Sequence, residues 1–140
     1  MNTLWIIHAT VTWALIGLIW TIQVVHYPLF EQVGENHFRR YHDRHMSRIL
    51  WLVGPLMLAE VGTAVALLYS GERSLWFILS LTALAVIWGS TALFQVPLHQ
   101  RLEAGYEPSL VHRLVRSNRW RTLAWTVRGI CLIALLIPRL

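Results

Sequence analysis

The apolar residues of this chain are gathered into four long blocks instead of the short amphipathic stretches of a water-soluble fold. Each block comes near the ~20 residues that an α-helix needs to cross ~30 Å of hydrocarbon. The pattern predicts an all-α protein, an integral membrane four-helix bundle that forms a single domain over residues 1–140. We expect its membrane helices at about residues 4–26, 47–69, 74–98 and 121–138.

The positive charges of the chain indicate how such a bundle is oriented. The chain has 12 arginines, no lysine and a formal net charge of +5. Four arginines lie between the apolar blocks of the first and second helices and five between those of the third and fourth, whereas the short middle link holds only Arg73. Basic loops stay on the cytoplasmic side, which predicts a multi-pass protein of the bacterial inner (cell) membrane with both termini outside. We attribute the arginines to this topology and to anionic lipid, and expect no nucleic-acid partner.

The two halves of the chain resemble each other where the first and third helices end. Each end carries a glutamine, a proline and a histidine, and each following loop continues with an acidic segment that contains glycine. The repetition favours two duplicated helical hairpins in parallel orientation. The matching residues are Gln23, His26 and Pro28 in the first half and Gln95, Pro97 and His99 in the second.

Glu60 is the most costly residue of the predicted bundle, because it lies in the otherwise uncharged apolar run of residues 51–70. A carboxylate at that depth needs a partner and marks a candidate functional site. Arg128 of the last helix points toward the same half of the bundle, and we predict Glu60 and Arg128 as catalytic groups. Two plainer alternatives are a buried ion pair that only holds the helices in register, and extension of Arg128 to the cytoplasmic headgroups.

Four histidines are expected near the cytoplasmic end of the bundle, at depths compatible with a shared site. His42 and His45 are one turn apart on a segment without proline or glycine from residue 37 to 53, which should continue into the second helix. His26 and His99 end the first and third helices, and their side chains lean back into the bilayer. The predicted metal ligands are His26, His42, His45 and His99, with Gln23, Gln95 and Arg121 as cofactor-binding residues.

This set of side chains determines which cofactors suit the site. Imidazoles with a carboxylate and an open position fit iron or copper and the activation of oxygen. Alternatively, His26 and His99 are the axial ligands of a b-type haem, whose propionate would meet Arg121. We therefore predict a membrane oxidoreductase whose partners are the lipid bilayer, a hydrophobic small-molecule substrate and, as an open alternative, a second copy of the chain. Two other classes stay open, a non-catalytic structural or partner subunit and a small proton or solute carrier that uses Glu60.

Short motifs near both ends of the chain carry family resemblances. Small four-helix membrane proteins grouped around fungal anthrone oxygenases have a pattern that resembles Val96-Pro97-Leu98-His99-Gln100-Arg101-Leu102 followed by Ser117-Asn118-Arg119-Trp120-Arg121-Thr122, with an asparagine in place of His99. The helix end His26-Tyr27-Pro28, after a helix rich in tryptophan, is similar to the small haem-binding membrane family of protoporphyrinogen oxidases. We expect a bacterial family of four-helix membrane proteins, and either resemblance implies oxidative chemistry on a lipophilic aromatic substrate.

Overall fold

Five α-helices make up most of the computed structural model, which describes residues 3–139. Helix α1 spans Thr3–Thr21, α2 Glu35–Tyr69, α3 Leu75–Ser90, α4 Val96–Leu102 and α5 Pro108–Leu136. Helices α3 and α4 are joined by a π-helical turn into one rod, so the described chain is a bundle of four helical rods. Residues 3–139 contain no β-strand, which confirms the all-α prediction.

The first and third rods both change from α-helix to π-helix shortly before a proline. The π-helical turn Ile22–His26 precedes Pro28, and the turn Thr91–Gln95 precedes Pro97. Proline has no N–H for the carbonyl group four residues earlier, and its ring crowds that carbonyl group. The turn before each proline therefore widens, which is a recognised cause of π-helical bulges and kinks.

Hydrogen bonds that span five residues close the widened turns. They run from the Tyr27 N–H to the Ile22 carbonyl over 2.9 Å and from the Val96 N–H to the Thr91 carbonyl. One extra residue in a turn rotates the following helix end by about 100°, because an α-helix has about 3.6 residues per turn. The π-helical turns thus set the direction of the side chains that follow them, including His99.

Helices α2 and α5 begin well before their apolar parts. Helix α2 starts at Glu35 and α5 at Pro108, whereas the predicted spans started near residues 47 and 121. No proline or glycine interrupts residues 37–53, and Pro108 lies in the first turn of α5, where its missing N–H costs no helical bond. The polar starts of both helices therefore extend the bundle beyond its apolar region.

Within residues 3–139, three helical segments are long and apolar enough to cross a membrane, judged by length and composition. These segments are Thr3–Gln32, Glu35–Tyr69 and Leu75–Leu102. Helix α5 is not among them, because arginines continue along it as far as Arg128. Three rods thus have the composition of membrane-spanning helices, whereas the fourth, α5, is more charged.

The rods pack in the order α2, α1, α5 and α3 around the bundle. Helix α1 packs against both α2 and α5, while α3 packs along α5. Within the described residues, the backbone contacts of α2 are mainly with α1, so the side of the bundle between α2 and α3 is loosely closed. The apolar core forms three layers, centred on Phe30 and Phe38 at the arginine-rich end, on Leu15 and Trp125 in the middle, and on Phe77 and Leu132 at the other end.

Candidate functional site

Four imidazole rings from three helical rods meet at the arginine-rich end of the bundle. His26 comes from the first rod, His42 and His45 from α2, and His99 from α4. His26 Nε2 lies 2.7 Å from His45 Nδ1, and His42 Nε2 lies 3.0 Å from His99 Nδ1. The ring centroids of His45 and His99 are 6.0 Å apart, which joins the two pairs. These four side chains, the predicted metal ligands, form what we call the histidine cluster.

Aromatic side chains of the core enclose the histidine cluster. Phe30, which has no exposed surface, lies 5.3 Å from His45 and 6.1 Å from His42 between ring centroids. Phe38 stacks on His42 with centroids 5.7 Å apart and an interplanar angle of 21°. The Tyr27 hydroxyl lies 3.0 Å from His99 Nε2. The cluster is therefore packed against aromatic side chains on one side, whereas His26 is partly exposed.

The hydrogen bonds of the cluster constrain its protons. A short N···N contact needs one donor and one acceptor, so at least one imidazole of each pair is neutral. His99 uses both ring nitrogens, whereas His42 Nδ1 is buried and has no partner. As the side chains stand, no three His, Cys, Asp or Glu residues within 3–139 are arranged to hold one metal ion. The cluster is thus two hydrogen-bonded pairs, with His42 Nδ1 as a buried nitrogen that has no partner.

A chain of amide groups connects the first rod to Arg121 on α5. The Arg121 Nη1 donates to Asn118 Oδ1 over 3.2 Å, and the buried Asn118 amide donates to Gln23 Oε1 over 3.0 Å. The Gln23 amide donates in turn to the Val115 carbonyl over 3.3 Å. Because a carbonyl can only accept, Val115 fixes the direction of every bond in this chain. The Arg121 guanidinium also lies close to the Tyr27 hydroxyl, which brings the amide chain next to the histidine cluster.

Glu60 and Arg128 form an ion pair with no exposed surface, farther along the bundle. Arg128 Nε donates to Glu60 Oε1 over 3.0 Å, and Arg128 Nη1 donates to the Ser80 carbonyl over 2.7 Å. The Trp125 indole N–H lies 3.3 Å from both carboxylate oxygens of Glu60. Arg128 is therefore turned inward, and its predicted alternative, extension to the headgroups, does not occur. The pair connects α2, α3 and α5.

A groove opens on the side of the bundle between α2 and the third rod. Its volume of about 540 Å³ falls within the ~300–1,000 Å³ of small-molecule pockets. We call it the lateral groove. Buried His99, Tyr27 and Arg121 lie along its inner part. Its apolar walls include Ile49, Leu50, Val53, Leu58, Trp88 and Val96.

The outer edge of the lateral groove faces the surroundings of the bundle. Leu50 and Leu58 on the α2 side are 67% and 65% exposed. In a membrane these side chains face lipid, so an apolar molecule has a short path from the bilayer to His99.

Gln95 belongs to the wall of the lateral groove and not to the amide chain of Gln23. The Ser117 hydroxyl donates to the Leu114 carbonyl over 3.1 Å, so its oxygen accepts the 2.8 Å bond from Gln95 Nε2. This arrangement fixes the orientation of the Gln95 amide and leaves Gln95 Oε1 buried without a donor. The two glutamines that look equivalent in the sequence thus have different neighbours.

Three residues of the site, Tyr27, Asn118 and Trp125, were not among the predicted site residues. Asn118 lies one turn before Arg121, and that polar spacing on a helix is the signal that could have found it. The contact of Tyr27 depends on the π-helical turn before it and has no comparable signal. Conversely, the predicted pair of Glu60 and Arg128 lies in a network separate from the histidine cluster.

Comparisons of the chain with protein-family models, with curated proteins and with solved structures found no match. The assignment of a function therefore depends on the chemistry of the site itself.

Proposed function

We propose that this chain is an integral membrane oxidoreductase that binds a redox-active iron or copper ion at the histidine cluster and acts on a lipophilic molecule in the lateral groove. The observation that carries the proposal is the position of His99. Its ring bonds His42 within the cluster and also lines the lateral groove. An ion held by these imidazoles would stand at the inner wall of a site that is open to lipid.

The spacing of the histidine pairs supports a metal site. Two imidazole nitrogens bound to one ion by bonds of about 2.1 Å near the tetrahedral angle are about 3.4 Å apart. The pairs His42–His99 and His26–His45 have N···N distances of 3.0 and 2.7 Å, so small ring rotations would admit an ion. His42 has a second way to bind an ion, because its unpartnered Nδ1 can act in place of Nε2 without loss of the bond to His99. Imidazole nitrogens suit iron and copper, unlike magnesium or calcium.

A b-type haem, the alternative cofactor, makes larger demands on the same residues. A haem iron would be bound by one imidazole nitrogen on each face of the macrocycle. A nitrogen that binds the iron cannot also bond another histidine. His26 and His99 each already bond another histidine at 2.7 and 3.0 Å. We therefore favour a bound ion, whose insertion requires the smaller movement.

The other predicted residues receive roles from their contacts. Gln23 orients Asn118 and through it Arg121, which lines the lateral groove. Glu60 and Arg128 were predicted as catalytic, but neither lines the groove. We propose that this ion pair instead holds α2 and α5 in register. Fixing the register of helices is the best-supported role of buried polar groups in other proteins.

We also propose that the bundle lies in a bacterial cell membrane with both termini outside. The arginine-rich starts of α2 and α5 follow the two loops at the histidine-cluster end, and basic segments favour the cytoplasmic side. Helix α5 would cross as the fourth span, because its deepest cation, Arg128, is paired with Glu60. The π-helical turn before a proline in both hairpins supports an origin by duplication.

Elemental analysis of detergent-purified protein, from cells supplied with iron and copper, tests the metal proposal. We expect near-stoichiometric iron or copper in the unaltered chain and a large loss in His99→Ala and His42→Ala. Copper also binds surface imidazoles, because it stands highest in the affinity order of the divalent metals. The matched controls are therefore His37→Ala and His112→Ala, whose side chains are exposed, and these should keep the metal.

A redox role requires more than bound metal. Electron paramagnetic resonance should detect couplings to imidazole nitrogens, and the signal should change on reduction and return in air. Metal-free protein, or metal content equal in cluster and control variants, would contradict the proposal. A Soret band that disappears in His99→Ala would instead identify haem as the cofactor.

A further inference from the structure

Arg121 is a buried cation without a carboxylate partner. Its side chain is only 6% exposed, beside the inner part of the lateral groove. In the part of the chain that the structure describes, the ion pairs join Glu60 to Arg128 and Glu31 to His112, and neither involves Arg121. Arg128, seven residues later on the same helix, differs from Arg121 because it has a carboxylate partner, Glu60.

The contacts that Arg121 does make are neutral. Its Nη1 donates to Asn118 Oδ1, its guanidinium carbon lies 5.3 Å from the centroid of the Trp125 ring, and the Tyr27 hydroxyl lies close to it. The Nε of Arg121 is buried without any partner. A buried charge without a counterion is costly, and inside a membrane it marks a pathway or a ligand site.

The unpartnered Nε belongs to the part of a guanidinium that recognises carboxylates. Arginine binds a carboxylate by parallel N–H···O bonds from two nitrogens, which gives both strength and a defined orientation. The lateral groove leads from this group along apolar side chains to the surface of the bundle, where Leu58 is 65% exposed. One molecule that satisfies both features has an anionic head and an apolar body.

We propose that the lateral groove binds a lipophilic carboxylate of the fatty-acid type, with its head against Arg121 and its chain between α2 and the third rod. The inference rests on the proposed function, because it names the class of substrate on which the proposed oxidoreductase acts. With the head at Arg121, the ligand lies next to Tyr27 and His99, which border the same part of the groove.

The test uses metal-free protein, prepared with a chelator and reconstituted in nanodiscs of neutral phosphatidylcholine. Equilibrium dialysis compares radiolabelled dodecanoate with methyl dodecanoate at neutral pH, and empty nanodiscs give the background. We expect one dodecanoate per chain, bound at least about tenfold more tightly than the ester, as is typical of hydrogen bonds to a charged group. Arg121→Gln should remove this preference, whereas Arg119→Gln, an exposed arginine of the same helix, should keep it.

A second pair of variants protects the test from misfolding at the buried Arg121. Leu58→Trp fills the mouth of the lateral groove from an exposed position. The control, Val65→Trp, introduces a tryptophan two turns farther along α2, at a partly exposed position that does not line the groove. Dodecanoate binding should fall about tenfold or more in Leu58→Trp and stay unchanged in Val65→Trp. Equal binding of acid and ester, or unchanged binding in both Arg121→Gln and Leu58→Trp, overturns the inference.

The two proposals fail separately. Dodecanoate preference in a protein that never binds metal would overturn the oxidoreductase proposal and leave the ligand class standing. Stoichiometric metal at the histidine cluster without any preference for the carboxylate would overturn only the ligand class.

Discussion

Two arginines of the same helix, seven residues apart, show how much the meaning of a buried charge depends on its neighbours. Arg128 bonds a carboxylate and a backbone carbonyl, whereas Arg121 bonds an amide, lies close to a tyrosine hydroxyl and stands over an indole ring. The first charge has its counterion within the described chain, although Arg128 Nη2 is buried without a partner. The second lacks an anion, which is why we place the ligand at Arg121.

The ion pair of Glu60 and Arg128 leads to a prediction about stability. Replacing one partner leaves the other charge buried and unpaired, which costs about 3–5 kcal/mol, whereas replacing both with apolar residues costs far less. We expect Glu60→Leu and Arg128→Met each to lower the free energy of unfolding by about that amount, and the double variant to lose less than either. Reversible unfolding in mixed micelles measures these values.

The control for this cycle is Arg119→Met, at an exposed position of the same helix, which should change the free energy of unfolding by less than about 0.5 kcal/mol. Additive losses in the double variant would mean that the two side chains act independently. The contacts of Glu60 with Arg128 and Trp125 hold its side chain in place, which favours the structural role over the carrier alternative.

At the scale of the elements, two prolines direct the ends of the first and third rods. Each is preceded by a π-helical turn, and beyond these turns stand Tyr27 and His99, which bond each other. An uninterrupted α-helix would point these side chains elsewhere. The geometry of the site thus depends on the backbone of Thr91–Gln95 as much as on the side chains.

Pro97→Ala tests this dependence. Alanine restores an N–H for the Leu93 carbonyl, so we expect the π-helical turn to relax to α-helix and to rotate His99 by about 100° away from His42. Amide hydrogen exchange in residues 91–99 should slow, and bound metal should decrease. Pro55→Ala is the matched control, because α2 stays α-helical around Pro55, and it should keep the metal. Unchanged exchange together with unchanged metal content would assign the turn to another cause.

At the scale of the whole molecule, polarity is distributed along the bundle axis. The arginine-rich starts of α2 and α5 and the histidine cluster are at one end, and the short link of residues 70–74 is at the other. The lateral groove connects the polar end with the exposed apolar side of the bundle. This distribution suits a protein that takes an apolar substrate from the bilayer and performs chemistry near one membrane face.

Labelling of single cysteines tests the topology. In a Cys131→Ser background, we expect Ser70→Cys to react with an impermeant maleimide from outside the cell, because the link it belongs to carries a single arginine. His37→Cys and Ser109→Cys should react only in inverted vesicles, and a tag after residue 140 should be reached from outside. A cytoplasmic tag would mean that α5 does not cross the membrane.

Much of the fold follows from properties that do not depend on the partner of each helix. The four apolar blocks, the absence of breakers in residues 37–53 and the two prolines predict helices and their approximate limits, because they act on hydration and on the local backbone. The depths of His26, His42, His45 and His99 could be predicted in the same way, because each residue adds a fixed rise along a helix.

What the sequence alone determined is therefore an all-helical chain of membrane-like composition and a set of polar residues at similar depth. Only the tertiary structure decided that Glu60 bonds Arg128 and not a histidine, that Gln23 and Gln95 have different partners, and that Arg121 lacks a counterion. These choices depend on how each rod is rotated about its axis and on which rods are adjacent. Rotation is set by packing and by the two π-helical turns, and neither can be read from the spacing of residues along the chain.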